Sequence, residues 1–155
     1  VIVAVDLGAK KAGIAWGTKT ELLGASCVRT TAKARDEHSE DAAMALALLD
    51  AMPEYDVLEL VIEWPQKYPT RPKYHDDIQR LWDVGWALMA LTGGAVVTKI
   101  TPAGWAGQVP KGVRWRRAVA KLSDAEQARV PDQHDARDAV QIYLWAAKRA
   151  RRGMV

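Results

Sequence analysis

Four acidic residues stand where an ionised carboxylate is costly to place. Asp6 closes the apolar run of residues 1–5 and is followed by Leu7-Gly8, and Glu63 closes the run of residues 58–63 and is followed by Trp64-Pro65. A carboxylate that ends a buried strand needs a partner. Asp135 and Asp138 lie three residues apart, on one face of a predicted helix. At about 100° per residue, Ala136, Ala139, Ile142, Tyr143, Ala146 and Ala147 share an apolar arc with Asp135. Asp138 falls on its margin, and His134, Arg137, Gln141 and Lys148 fall toward the polar side. Carboxylates forced together raise one another's pKa unless divalent cations neutralise them. An all-oxygen donor set favours Mg²⁺ or Mn²⁺ over zinc. Two such ions about 3.5–4 Å apart promote in-line attack on a phosphodiester. Simpler roles exist for three of the acids: Asp6 beside Gly8 suits a turn, Glu63 suits a solvated strand end, and Asp135 suits the first turn of a helix capped by Asp132. Asp138 has no such local role.

The elements that must position these acids follow from periodicity. Residues 1–5 read as a strand covered on both faces, Gly8 and Gly13 bracket a turn into residues 14–16, and residues 22–28 make a third strand. Residues 39–51 carry helical spacing and stop at Pro53. A strand over residues 58–63 leads to an irregular, proline-rich loop over residues 68–73. A helix with the stripe Ile78, Leu81, Trp82, Gly85, Trp86, Leu88 and Met89 then ends at Gly93-Gly94. Residues 95–100 form a fifth strand, and a loop carrying glycine and tryptophan runs to Gly112. A basic helix over residues 113–122, a turn capped by Ser123, and a final helix over residues 132–150 complete the chain. Three strands in series followed by helix, strand, helix, strand and helix predict an α/β fold with a mixed sheet flanked by helices. Trp82, Trp86 and Trp145 are expected in the core.

The 155 residues are expected to form a single domain, 49% hydrophobic and 26% charged, which argues against disorder. One cysteine, Cys27, excludes an intrachain disulfide and a cysteine-based zinc site, and a reducing cytoplasm is the expected location. The longest uncharged run, residues 84–98, is shorter than the about 20 residues of a spanning helix. The net charge is only +3. It divides unevenly, because residues 111–155 hold eleven basic and five acidic residues, net +6, against eleven and fourteen in the remainder.

At the acidic residues the sequence resembles the RuvC-like Holliday junction resolvases of the RNase H-like superfamily. The matching pieces are Val3-Ala-Val-Asp6-Leu-Gly8 with Gly13-Ile-Ala15, Val61-Ile-Glu63-Trp-Pro65, and Asp135-Ala-Arg-Asp138-Ala139, in order along nearly the whole chain. The stretch Thr101-Pro102-Ala-Gly-Trp105 through Pro110-Lys111 is similar to a segment of phage and plasmid members. The resemblance implies a five-stranded sheet with the first three strands antiparallel. It implies a homodimer that cuts branched DNA, four-way junctions above all, with Mg²⁺ or Mn²⁺, two ions per site, in the host cytoplasm where the source is a phage. It implies Asp6, Glu63, Asp135 and Asp138 as catalytic and metal-binding residues, with His134 as a candidate accessory beside the first helix acid.

Lys111, Arg114, Arg116, Arg117 and Lys121 cluster around Trp115 and suit a phosphate-contacting surface. Tyr68, Arg71 and Lys73 follow Glu63 in a loop suited to stacking at a junction. Three other readings fit parts of the same pattern. YqgF-type nucleases acting on RNA share the D-x-G opening, although they generally lack a glutamate at the place of Glu63. Actin-like ATPases share it as well and need a second domain. A non-catalytic junction-binding protein would not need four intact acids.

Overall fold

Residues 1–5 lack polar alternation because both faces of their strand are covered. In the computed structural model, which describes residues 1–31, 34, 39–54, 56–67 and 72–153, β1 (Ile2–Asp6), β2 (Lys11–Gly17) and β3 (Leu22–Arg29) form an antiparallel meander. β4 (Glu59–Glu63) pairs parallel to β1, and β5 (Val96–Ile100) pairs parallel to β4. The order β3-β2-β1-β4-β5 is the expected five-stranded mixed sheet.

Alternation along the strands assigns each residue to a layer. Val3, Val5, Leu60 and Ile62 face α1 (Glu40–Asp50) and α2 (His75–Leu91), whose Met44, Leu48, Val84 and Leu88 complete that core. Ile2, Ala4, Ala15 and Val61 face the opposite layer. This layer contains α3 (Pro102–Ala106), α4 (Lys111–Val119), α5 (Asp124–Gln127) and α6 (His134–Arg151). Asp6 and Glu63 continue the parity of Ala4 and Val61, so both belong to the α6 side. Among the described residues no helix is long and apolar enough to cross a membrane.

α6 lies directly on β2, and small residues make that approach possible. A Cβ on Gly13 would stand 1.9 Å from the Asp135 carbonyl oxygen, and one on Gly17 would stand 2.5 Å from the Tyr143 hydroxyl. Gly13, Ala15 and Gly17 occupy alternate positions on one face, matched by Ala136, Ala139, Ala146 and Ala147 of α6, all buried. The Tyr143 hydroxyl is shared between the carbonyls of Thr18 and Glu21, at 2.6 and 2.7 Å. At the far end, the Arg149 guanidinium pairs with Glu59, a glutamate only 5% exposed that also accepts the Thr98 hydroxyl at 2.8 Å. Glu59 shares the parity of Val61 and Glu63, so β4 presents α6 with a carboxylate at each end.

Four expectations are corrected by the structure. Residues 102–106 are a short helix rather than a loop, because Thr101 caps the Gly104 N–H at 3.1 Å and Pro102 suits the first turn, while Gly107, at φ +58°, stops it. Asp132 is not the N-cap of the last helix; Gln133 holds that position, and Asp132 pairs with Arg137. Gln141 is buried instead of solvated, because α4 covers that side of α6. Trp86 is 55% exposed, since Val84, Gly85 and Leu88 take the buried stripe of α2. Trp64 fits against Gly85, where a Cβ would stand 2.5 Å from its ring. Trp82 and Trp86 flank Trp64, stacked at 6.3 Å and edge-on at 5.4 Å. Trp145, expected in the core, is half-buried at the border of the α6 core, and Trp82 is half-buried as well.

Replacing Gly13 by alanine is expected to destabilise the protein by at least about 1–3 kcal/mol, the range for over-packed cores, because a backbone carbonyl cannot rotate away as a side chain can. Gly112→Ala, on an exposed helical position with no atom within 4 Å of the new Cβ, is expected to be neutral or to stabilise by up to about 1 kcal/mol. Urea unfolding of the two variants measures the contrast.

Candidate acidic site

The close approach at Gly13 also places the helix acids. Gly13 is the pairing partner of Asp6 across the β1–β2 ladder, so the Asp135 backbone seated on Gly13 brings the start of α6 beside the end of β1. Parallel pairing of Val5 with Ile62 puts Glu63 on the neighbouring strand end. Asp138 follows Asp135 by one turn and is 9% exposed. All four predicted acids therefore gather at one end of the sheet, on one face.

Their electrostatics report the crowding. Burial pushes the Asp6 carboxyl well above the ordinary carboxylate range, and the charges of Glu63, Asp138 and Asp135 push it further, opposed by Lys111. Glu63 is also raised, chiefly by burial; the Trp105 indole N–H donated to its Oε2 opposes that, and the Asp138 charge adds to it. Lys11 places its ammonium 2.6 Å from Asp135 Oδ2. Lys111 pairs with Asp138 Oδ2, while Gln141 Nε2 donates to Asp138 Oδ1 at 3.1 Å. The Cys27 thiol lies 3.9 Å from Asp135 Oδ2.

The acids share a location without closing on a common point. Among the described residues, no group of three acidic, histidine or cysteine side chains is set to enclose an ion. The donor chemistry nonetheless fits a hard divalent cation, since every candidate ligand is a carboxylate oxygen and mutual repulsion gives the cluster a reason to take up positive charge. His134 is exposed at the first residue of α6, where it lines a cavity of about 230 Å³ with Lys111 and Asp138.

The predicted basic residues divide. Arg116, Arg117 and Lys121 are exposed along and just beyond α4, and Lys73 is exposed beside Tyr74. Arg114 is partly buried, with its guanidinium 4.7 Å from the centre of the Trp105 ring. Tyr68 and Arg71 lie outside the described residues. Sequence reasoning missed Trp105, Lys11 and Gln141 as partners of the acids. Lys11 carried a readable signal, being a lysine just after the Asp6-Leu7-Gly8 turn. Trp105 did not, because nothing local ties residue 105 to residue 63.

The raised carboxyls set a pH dependence. A carboxyl whose pKa is higher in the folded than in the unfolded state binds its proton more tightly when folded. Stability is therefore greatest below the ordinary carboxylate pKa and falls as pH rises through the raised value. The metal-free protein is expected to melt at a lower temperature at pH 8 than at pH 5. Asp6→Asn is expected to raise the melting temperature at pH 8 and to change it little near pH 4. Thermal melts in chelator across that range check both signs.

No protein-family profile matches the sequence, and no curated protein matches it. Solved structures do. The Thermus thermophilus RuvC structure in complex with a Holliday junction substrate superposes with a TM-score of 0.67 at 19% identity, covering 99% of this chain and 96% of that one. A second Thermus thermophilus RuvC structure gives 0.64 at 19% identity with the same coverage. The likeness spans the sheet and both helical layers, and the chain has a RuvC-like, RNase H-like fold.

Proposed function

We propose that residues 1–155 form a metal-dependent endonuclease domain that cuts branched DNA, four-way junctions above all, as a homodimer. The observation that carries this reading is the meeting of Asp6, Glu63, Asp135 and Asp138, from three separate elements, in a partly buried cluster where burial and the neighbouring carboxylates raise the proton affinity of Asp6 and Glu63. A fold shared with a RuvC bound to a Holliday junction supports the choice of substrate. The electronegative cluster with basic residues beside it suits phosphodiester chemistry better than a purely structural role.

In this reading the four carboxylates hold Mg²⁺ or Mn²⁺, with two ions in the site. Bound divalent cations supply activation of water and stabilisation of the leaving 3′ oxygen. The protein's own groups do the positioning. Trp105 holds one oxygen of Glu63 and leaves the other free to ligate. Gln141 fixes the rotation of the Asp138 carboxylate. Lys11 and Lys111 neutralise the helix acids in the metal-free protein and are placed, once released, to meet phosphate oxygens. His134 stands at the rim beside Asp138, placed to assist a water. Symmetric incision of a junction needs two sites related by a two-fold axis, hence the homodimer.

Cleavage of a synthetic four-way junction, a flap, a linear duplex and a structured RNA, with and without Mg²⁺, tests the reading. Junction cleavage that requires Mg²⁺ and disappears in Asp6→Asn and Asp138→Asn is expected. Cleavage at the parent rate in either variant would sink the assignment, and preferential cutting of the RNA would move the substrate to RNA. Trp105→Phe keeps an aromatic ring and loses the donor. It is expected to weaken metal affinity or activity by about 10–100-fold, the usual effect of removing a group that orients a metal ligand, measurable as a shift in the Mg²⁺ concentration that raises the melting temperature.

A further inference from the structure

Two adjacent cavities on the α4 side of α6, which share part of their lining, line up as one groove. The first, about 250 Å³, is lined by Trp105, Arg114, Arg117, Trp145 and neighbours. The second, about 420 Å³, reaches Lys19 in the β2–β3 turn and Arg151 at the end of α6. Both are lined by Lys121, Leu144 and Lys148. The groove therefore begins at Trp105, which touches Glu63, and runs along α6 to the opposite end of the sheet.

Its charge is one-sided. Six cations line it, Arg114, Arg117, Lys121, Lys148, Arg151 and Lys19, against one carboxylate, Glu126. Glu126 is already committed, accepting the Leu22 N–H, the Ser123 N–H and the Ser123 hydroxyl, each at 2.8 Å. Among the described residues, none of the six cations is in an ion pair. Arg114 lines the groove with its guanidinium over the Trp105 ring, 4.7 Å from its centre.

We propose that this groove holds a single strand of DNA leading away from the acid cluster. The proposal rests on the nuclease reading for its polymer and on the groove for its strandedness. A duplex keeps its bases paired and stacked along its axis, with its phosphates turned outward. Duplex bases therefore hide the ring faces that Trp105 and Trp145 could stack on. A cationic track with aromatic side chains is how proteins hold single strands without reading sequence. From Gln141 to Arg151 the helix rises about 15 Å, room for about four nucleotides at about 3.4 Å each.

The test is binding of a fluorescent oligothymidylate without divalent metal, by anisotropy over a range of NaCl concentrations. Each phosphate contact to a single strand contributes about 0.7 to the slope of log K against log salt. Lys19→Ala/Lys148→Ala/Arg151→Ala is therefore expected to make the slope shallower by about 2. The slope for a blunt duplex of equal length should stay as in the parent. Lys148→Gln/Arg151→Gln, which keeps the side-chain stems, should lose about 1.4 of slope and covers the case in which the triple variant folds poorly. An unchanged oligothymidylate slope, or an equal fall for the duplex, overturns the proposal, and tighter binding of oligouridylate overturns DNA as the ligand. Because no cleavage is read, the two readings fail separately. Strand binding as expected in a protein that cuts no junction overturns the nuclease reading alone, and junction cutting with an unchanged slope overturns the groove alone.

Discussion

The contact on which the arrangement depends is the seating of the α6 backbone on Gly13. The Asp135 carbonyl occupies the space that any side chain at residue 13 would need, so helix and strand meet at backbone distance. Tyr143, hydrogen-bonded across the β2–β3 turn, and Arg149, paired with Glu59, fix α6 at two more points along its length. A helix held at three points neither slides nor rotates. That rigidity turns a spacing of three residues between Asp135 and Asp138 into a fixed placement beside Asp6 and Glu63.

The same contact creates an electrostatic problem and keeps it local. Four carboxylates share one sheet end, two of them with raised proton affinity, while Lys11, Lys111, the Trp105 N–H and the Gln141 amide each take one carboxylate oxygen. These partners come from β2, α3, α4 and α6 itself, so the cluster is braced from several directions. The small net charge of +3 hides a basic stretch, residues 111–155, net +6, and an acidic remainder, net −3, and the acid cluster draws two members from each part. Anion attraction and cation attraction are separated by position within one molecule.

Much of the fold was legible because strand and helix periods are local. The β1–β2–β3 meander, the strand ending at Glu63 and the long helices appear where alternation and apolar spacing place them. Two of the misreadings share a cause, which is that exposure is decided by neighbours distant in sequence. Trp86 looked like part of the α2 stripe, yet Trp64 took the place against Gly85. Gln141 looked solvated, and α4 covers it. The segment at residues 102–106 looked like a loop because five residues are too few for a periodic signal.

The sequence by itself determined which residues carry the acids and on what elements they ride, because a carboxylate closing an apolar strand, or set on the buried arc of a helix, is anomalous wherever the chain folds. Parity along β1 and β4 was equally readable in principle, since alternation of side chains is a property of the strand alone. Only the tertiary structure decided that the four acids share one end and one face, that a tryptophan 42 residues away holds Glu63, and that unpaired cations from α4, α6 and the β2–β3 turn line one groove. Those outcomes depend on how closely α6 approaches the sheet, a distance set by side-chain volumes on two elements at once and therefore absent from either one read alone.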